Sequence, residues 1–293
     1  MAITASMVKE LRERTAAGMM DCKKALAETN GDMEAAIDLM RTSGAVKAAK
    51  KSGRIAAEGL VKVNTSEDGK IATILEVNSE TDFVTKGDAF IGFVDALGAL
   101  ALKTTPADID AFLAESMENG DSLEKAREDI VTSTGENVSI RRVQTVTTDN
   151  GVIGVYKHGE RIAVLTLLEG GDEALAKDIA MHIAASKPEC ISESDLSADL
   201  IEREKAIFVE QARESGKPEE IIEKMIVGRM KKFVNEVTLE GQAFVKDPDT
   251  TVAALLKSNN ATIKSFIRFE VGEGIEKKEE NFADEVMAQV KGE

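Results

Sequence analysis

Apolar side chains recur at helical spacing through the first fifty residues of the chain. Met7, Val8 and Leu11 follow Thr4, whose hydroxyl suits an N-cap. Thr15-Ala-Ala-Gly18 breaks the run, and Met19, Met20, Cys22, Leu26 and Ala27 carry a second helix that Asn30-Gly31 stops. Asp32 can cap a third, with Met33, Ala36, Ile37 and Met40 as its stripe. Gly44 is expected to interrupt that helix, and the Ala/Lys-rich stretch from Val46 to Arg54 to extend it toward a linker.

From Gly59 the period changes to two. Leu60–Val63 and Ile71–Val77 flank Asp68-Gly69, a strong hairpin signal. A polar loop, Asn78 to Asp88, precedes an apolar helix with Phe90, Ile91, Phe93, Val94, Leu97 and Leu100. Pro106 opens another helix, Ser122 to Ser133 is a third, and Val138 to Val146 returns to strand. The second half repeats this order. Val152–Tyr156 and Arg161–Leu168 form a hairpin, Glu173 to Ala185 a helix, Thr251 to Ser258 another, and Ile263 to Val271 a last strand. Between them lies an insertion of about 188–238, read as two helices joined by Ser215-Gly-Lys-Pro218. Phe282, Val286 and Val290 give a terminal helix its stripe. The fold class is therefore α+β, with a helical module in 1–54 and two related subdomains of antiparallel sheet plus helices in 55–146 and 147–274. The second carries the helical hairpin, and a C-terminal helical module fills 275–293.

Charge supports the first boundary. Residues 1–54 hold ten basic and seven acidic side chains, while the whole 293-residue chain is at −16. That balance makes nucleic acid a poor direct partner, because phosphate binding needs clustered Lys and Arg. The Lys47–Lys51 cluster reads as a solvated helix face, since no aromatic or glycine reader interleaves it. No apolar run reaches the ~18 residues of a membrane span, and Met1–Ser6 lacks the pattern of a secretory signal. Two cysteines, Cys22 and Cys190, make neither a disulfide framework nor a zinc site, and a cytoplasmic location follows.

The chemistry of an enzyme is missing. The chain has no P-loop, no G-x-G-x-x-G after a strand, no H-E-x-x-H, no G-x-S-x-G and no EF-hand loop, so no cofactor, metal or catalytic residue is assigned. Of the two histidines, His182 lies within a helix and reads as a structural or surface residue, whereas His158 sits at a hairpin tip, where binding residues concentrate. Thr81-Asp-Phe-Val84 places two apolar residues in a polar loop. Phe83 is either a staple packed on the following helix or an exposed wedge beside the Asp82 carboxylate.

Two long segments resemble the signatures of the elongation factor Ts family: Leu11 to Leu26, with Thr-Ala-Ala-Gly-Met-Met-Asp-Cys at its centre, and Glu76-Val-Asn-Ser-Glu-Thr-Asp-Phe-Val-Thr-Lys86. Gly135-Glu-Asn137, Ile140-Arg-Arg142, His182 to Pro188, Gly228 to Lys232 and Phe266 to Gly274 extend the likeness along the chain. Ala16, Ser79 and Thr85 depart mildly from the family pattern, and Lys246 stands where some relatives have an apolar contact residue. The resemblance implies a ubiquitin-associated-like N-terminal domain, two core subdomains, a dimerisation hairpin and a terminal helix. It implies a guanine-nucleotide exchange factor for elongation factor Tu, with no catalytic residue. Arg12, Met19 and Met20 would touch the GTPase domain of Tu, and Thr81, Asp82, Phe83 and Val84 would wedge into it and dislodge its magnesium. His158 would reach another domain of Tu. A different class stays open: a ubiquitin-associated-type scaffold that recruits partners without exchange.

Overall fold

The computed structural model describes residues 3–276 apart from 16, 215 and 217, so the helix expected after 275 lies almost wholly outside the described residues. Helices α1 (Ala5–Thr15), α2 (Met19–Glu28) and α3 (Met33–Lys51) form the N-terminal bundle. The Thr4 hydroxyl accepts from the Met7 N–H at 3.3 Å, and the Asp32 carboxylate from the Ala35 N–H at 3.0 Å, so both caps fall where the sequence puts them. Val8, Leu11, Ala17, Cys22, Leu26, Ala36 and Met40 fill the core of the bundle. Asn30 and Gly31 take positive φ, which ends α2 sharply.

Gly44 does not interrupt α3. The helix runs unbroken to Lys51, and the glycine serves a close approach instead: a Cβ at 44 would stand 3.0 Å from the Thr132 hydroxyl. That approach lets Ala48 enter the core of the first sheet.

That sheet has strands β1 (Glu58–Thr65), β2 (Ile71–Ser79) and β3 (Val138–Thr147), in that order. Between β2 and β3 come α4 (Asp82–Thr85), α5 (Asp88–Thr104), α6 (Ile109–Leu113) and α7 (Leu123–Thr134). Phe90, Phe93, Val94 and Leu97 of α5 pack with Leu75, Val77, Val138 and Ile140 of the strands. Pro106 does not open α6. Asp108 caps it, accepting from Ala111 N–H at 2.8 Å, because a side-chain acceptor satisfies an end donor that proline only lacks. The bundle, most of this sheet and, among the described residues, the segment 270–276 belong to one compact unit.

The other unit contains Thr65–Ala72 and Val146–Phe269. Its sheet runs β4 (Val152–His158), β5 (Ile162–Glu169), β8 (Thr262–Glu270), with β4 and β5 antiparallel from Val152↔Leu168 to His158↔Ile162. Helix α8 (Glu173–Ser186) covers it, and a Cβ on Gly154 would collide with the Ala176 carbonyl at 2.3 Å, so only glycine lets helix and strand approach this closely. Helices α9 (Ala198–Arg213) and α10 (Glu219–Val237) pack as the expected hairpin. A two-stranded ribbon, β6 (Ala243–Phe244) with β7 (Asp247–Thr251), precedes α11 (Val252–Ser258) and was not foreseen. Its strands are too short and polar to show a period. No helix among the described residues is long and apolar enough to cross a membrane.

Candidate partner-binding site

Within the stretch from Asn78 to Asp88 expected to be a polar loop, Asp82–Thr85 form the short helix α4, whose two faces differ in kind. Thr85 is buried and Val84 packs against the first core, while Asp82 and Phe83 face solvent. Phe83 is 82% exposed, so the staple reading is excluded. One helical turn has no stability of its own, because nucleation costs more than a single turn returns. Its neighbours hold it. The Glu136 carboxylate accepts from the Thr81 N–H at 2.9 Å and from the Thr81 hydroxyl at 2.6 Å. The Ser79 hydroxyl donates to the Thr81 carbonyl at 3.0 Å, and the Thr85 hydroxyl to the Asp82 carbonyl at 2.8 Å. Lys86 bonds the Asp82 carboxylate at 2.6 Å and lies 6.0 Å from the centre of the Phe83 ring. A lone exposed aromatic is ordinary. One carried on a turn anchored at both ends is already ordered, and its burial by a partner would stabilise a complex by about 1.5–3 kcal/mol.

The bundle presents a second exposed apolar pair. Met19 and Met20, read among the apolar residues that carry α2 and implied by the resemblance to be contact residues, are 60% and 75% exposed at its first turn. Cys22, Ala25 and Leu26 supply the inner face instead. Unbranched thioether side chains adapt to an irregular partner surface. Arg12 is exposed on α1, and Lys47 pairs with Asp21 of α2 at 3.0 Å.

His158 is the exposed last residue of β4. Its Nδ1 lies 3.4 Å from the Tyr156 hydroxyl, and the two rings stack at 6.5 Å between centroids. His182 is fully buried, which decides for the structural over the surface reading. Its Nδ1 accepts from the Val245 N–H at 3.2 Å, so Nε2 carries the proton and donates to the Gln242 amide oxygen at 2.9 Å. Burial pushes its pKa below the usual value, against a smaller opposing effect of the Gln242 bond. Lys246 pairs with Asp178 at 2.5 Å. Arg12, Met19, Met20 and the α4 residues fall in the first unit and His158 in the second. Sequence reasoning missed Glu136 as a site residue. Its one signal is its place in the family-like segment Gly135-Glu-Asn137.

The family described as elongation factor Ts matches residues 80–273 of this chain. The protein named Elongation factor Ts from Ruthia magnifica subsp. Calyptogena magnifica is 78% identical over 292 residues, spanning 100% of this chain and 99% of its own length. That of Vesicomyosocius okutanii subsp. Calyptogena okutanii is 67% identical over 99% of this chain and 100% of its own, and that of Alkalilimnicola ehrlichii 59% identical over 100% of both. The match reaches from end to end and includes the α4 turn, and the chain belongs to the elongation factor Ts family.

Proposed function

We propose that the protein is the guanine-nucleotide exchange factor of elongation factor Tu, acting in translation elongation without making or breaking a bond. The observation that carries the reading is the anchored turn α4, which holds Phe83 out in solvent beside the Asp82 carboxylate. In this reading Met19, Met20 and Arg12 dock on the GTPase domain of Tu, and His158 meets a further domain. Phe83 then enters a pocket of Tu, and the Asp82 charge perturbs the magnesium that holds the GDP phosphates. Val84 and Thr81 keep the turn seated on its own core.

The energetic logic is linkage. A partner that binds nucleotide-free Tu more tightly than Tu·GDP must weaken GDP by the same factor. Family membership and the exposed methionines suit an exchange factor and a non-exchanging scaffold alike, whereas an exposed wedge on a second element suits exchange. Release of fluorescent GDP from Tu separates the two. Added protein should accelerate release saturably. Binding to Tu with release left at its spontaneous rate would establish the scaffold.

A further inference from the structure

The turn between α7 and β3 touches both docking elements. Gly135 ends α7 at φ +77°, a left-handed position where its N–H bonds back to the Val131 carbonyl. This fixes the direction in which the next two residues leave the helix. Glu136 then reaches Thr81 with both carboxylate oxygens. The Asn137 N–H donates to the Glu80 carboxylate at 2.6 Å, and its side-chain amide donates to the Arg54 carbonyl at 2.8 Å. Lys51, in the last turn of α3, donates to the Gly135 carbonyl. Three consecutive residues therefore tie the wedge-bearing turn α4 to the end of α3, the helix that closes the methionine-bearing bundle. All of these groups lie in one unit.

We infer that Glu136 is a positioning residue for nucleotide exchange: it fixes the aim of Phe83 while making no contact with the partner. The inference rests on Phe83 being the wedge. Both ends of a wedge must be held for its insertion to act on the partner, because an aromatic ring on a loose turn spends binding free energy on its own ordering. Glu136 supplies two charge-assisted hydrogen bonds at the residue that starts the turn. A loosened turn still allows docking through the bundle. The defect should therefore appear in how fast bound complexes release GDP, with little change in how readily they form.

The test measures release of fluorescent GDP from Tu against exchange-factor concentration, which separates the maximal rate from the half-saturating concentration. Glu136→Ala, which removes both charge-assisted bonds, should lower the maximal rate at least roughly tenfold, with half-saturation changed less than about twofold. Glu136→Gln, which keeps one acceptor oxygen and the side-chain volume, should recover part of the rate. Thr81→Val, which removes only the hydroxyl arm, should show the same signature at smaller amplitude and serves if Glu136→Ala folds poorly. Adding Glu136→Ala to Phe83→Ala should cause no further slowing, because the residue acts through the ring. A wild-type maximal rate for Glu136→Ala while Phe83→Ala is slow would overturn this inference and leave the exchange reading standing. Equal further slowing in the Phe83→Ala background would overturn it too. A wild-type rate for Phe83→Ala would overturn the exchange reading itself.

Discussion

The buried carboxylate of Glu76 accepts a hydrogen bond from the backbone N–H of Gly272, 196 residues further along the chain, at 2.8 Å. Arg141 bonds the same carboxylate at 3.0 Å and Arg142 at 2.5 Å, and the Asn78 amide adds a fourth donor at 2.9 Å. Gly272 sits at φ +74°, where a Cβ would meet the Ala57 carbonyl at 2.3 Å, so glycine alone fits. The carboxylate thus joins β2, β3 and the segment after β8. Glu76→Ala leaves two arginines facing a partly buried void and should cost about 3 kcal/mol in urea unfolding. Arg141→Ala should cost less, since the carboxylate keeps Arg142, Asn78 and the Gly272 N–H as donors. A loss below about 1 kcal/mol for Glu76→Ala would show that the network does not hold the unit together.

The bundle should be separable only at a particular cut. Ala48 lies in the core of the first sheet, and Lys51 and Arg54 bond to the 135–137 turn. Deleting residues 1–42 removes the exposed methionines and most of the bundle but keeps the second half of α3 on α7. Deleting 1–54 also opens the sheet core. Both truncations should bind Tu more weakly than the full chain, and only the longer one should lower the melting temperature of the remainder appreciably. Equal melting of the two proteins, followed by far-UV circular dichroism, would contradict the role given to α3.

Stability should fall with mild acid through His182. Its folded-state pKa lies below the ordinary value of about 6.5, because burial disfavours the charged ring. The unfolded chain therefore binds the proton more readily. Stability from this residue is full above about pH 6.5 and declines as pH drops below that toward the folded-state value. Protonation also breaks the bond accepted from the Val245 N–H. The melting temperature of wild type should drop more between about pH 7.5 and 5.5 than that of His182→Gln, which has no such proton to bind. Parallel pH profiles for the two proteins would refute the assignment.

The α9–α10 hairpin uses part of its apolar stripe internally. Ile222 and Ala212 are buried, and the Phe208 and Phe233 rings meet edge to face at 6.3 Å. Ile207, Ile221 and Val227 remain 39%, 46% and 69% exposed. We expect the hairpin to mediate self-association through this remainder. Sedimentation velocity should show a concentration-dependent dimer, which Val227→Glu and Ile221→Glu weaken while the melt stays close to wild type. A wild-type protein that stays monomeric at the highest soluble concentration would rule this out.

Long periodic segments were legible in the sequence because burial and periodicity agree in them. Helix α5 buries one face over many residues, and β5 buries an unbroken apolar run from Ala163 to Leu165 beside β4, so both are set by the core. Short elements held by side-chain chemistry were not legible. Helix α4 exists because Glu136, 55 residues away, grips Thr81, and no local pattern encodes a partner that distant. The β6–β7 ribbon escaped for a similar reason, since His182 of α8 fixes the backbone beside it. Gly44 misled because glycine disfavours helices locally, and the gain from bringing α3 against α7 outweighs that cost. At the site, residue type and context named Asp82 and Phe83. Whether the ring points in or out is not encoded locally, because a staple and a wedge share one sequence, and the 82% exposure of Phe83 decides it.

The most direct measurement is the maximal rate of fluorescent-GDP release from Tu with Phe83→Ala, taken together with the melting curve of the same protein. Because the ring is 82% exposed, its removal should change stability by no more than about 0.5 kcal/mol. As the buried anchor of an interface it should contribute about 2 kcal/mol or more, so release should slow more than tenfold. Asp82→Ala should follow in the same direction with a smaller effect, the carboxylate being partly solvated. Slow release with an unchanged melt is the predicted result. Release at the wild-type rate would contradict the account.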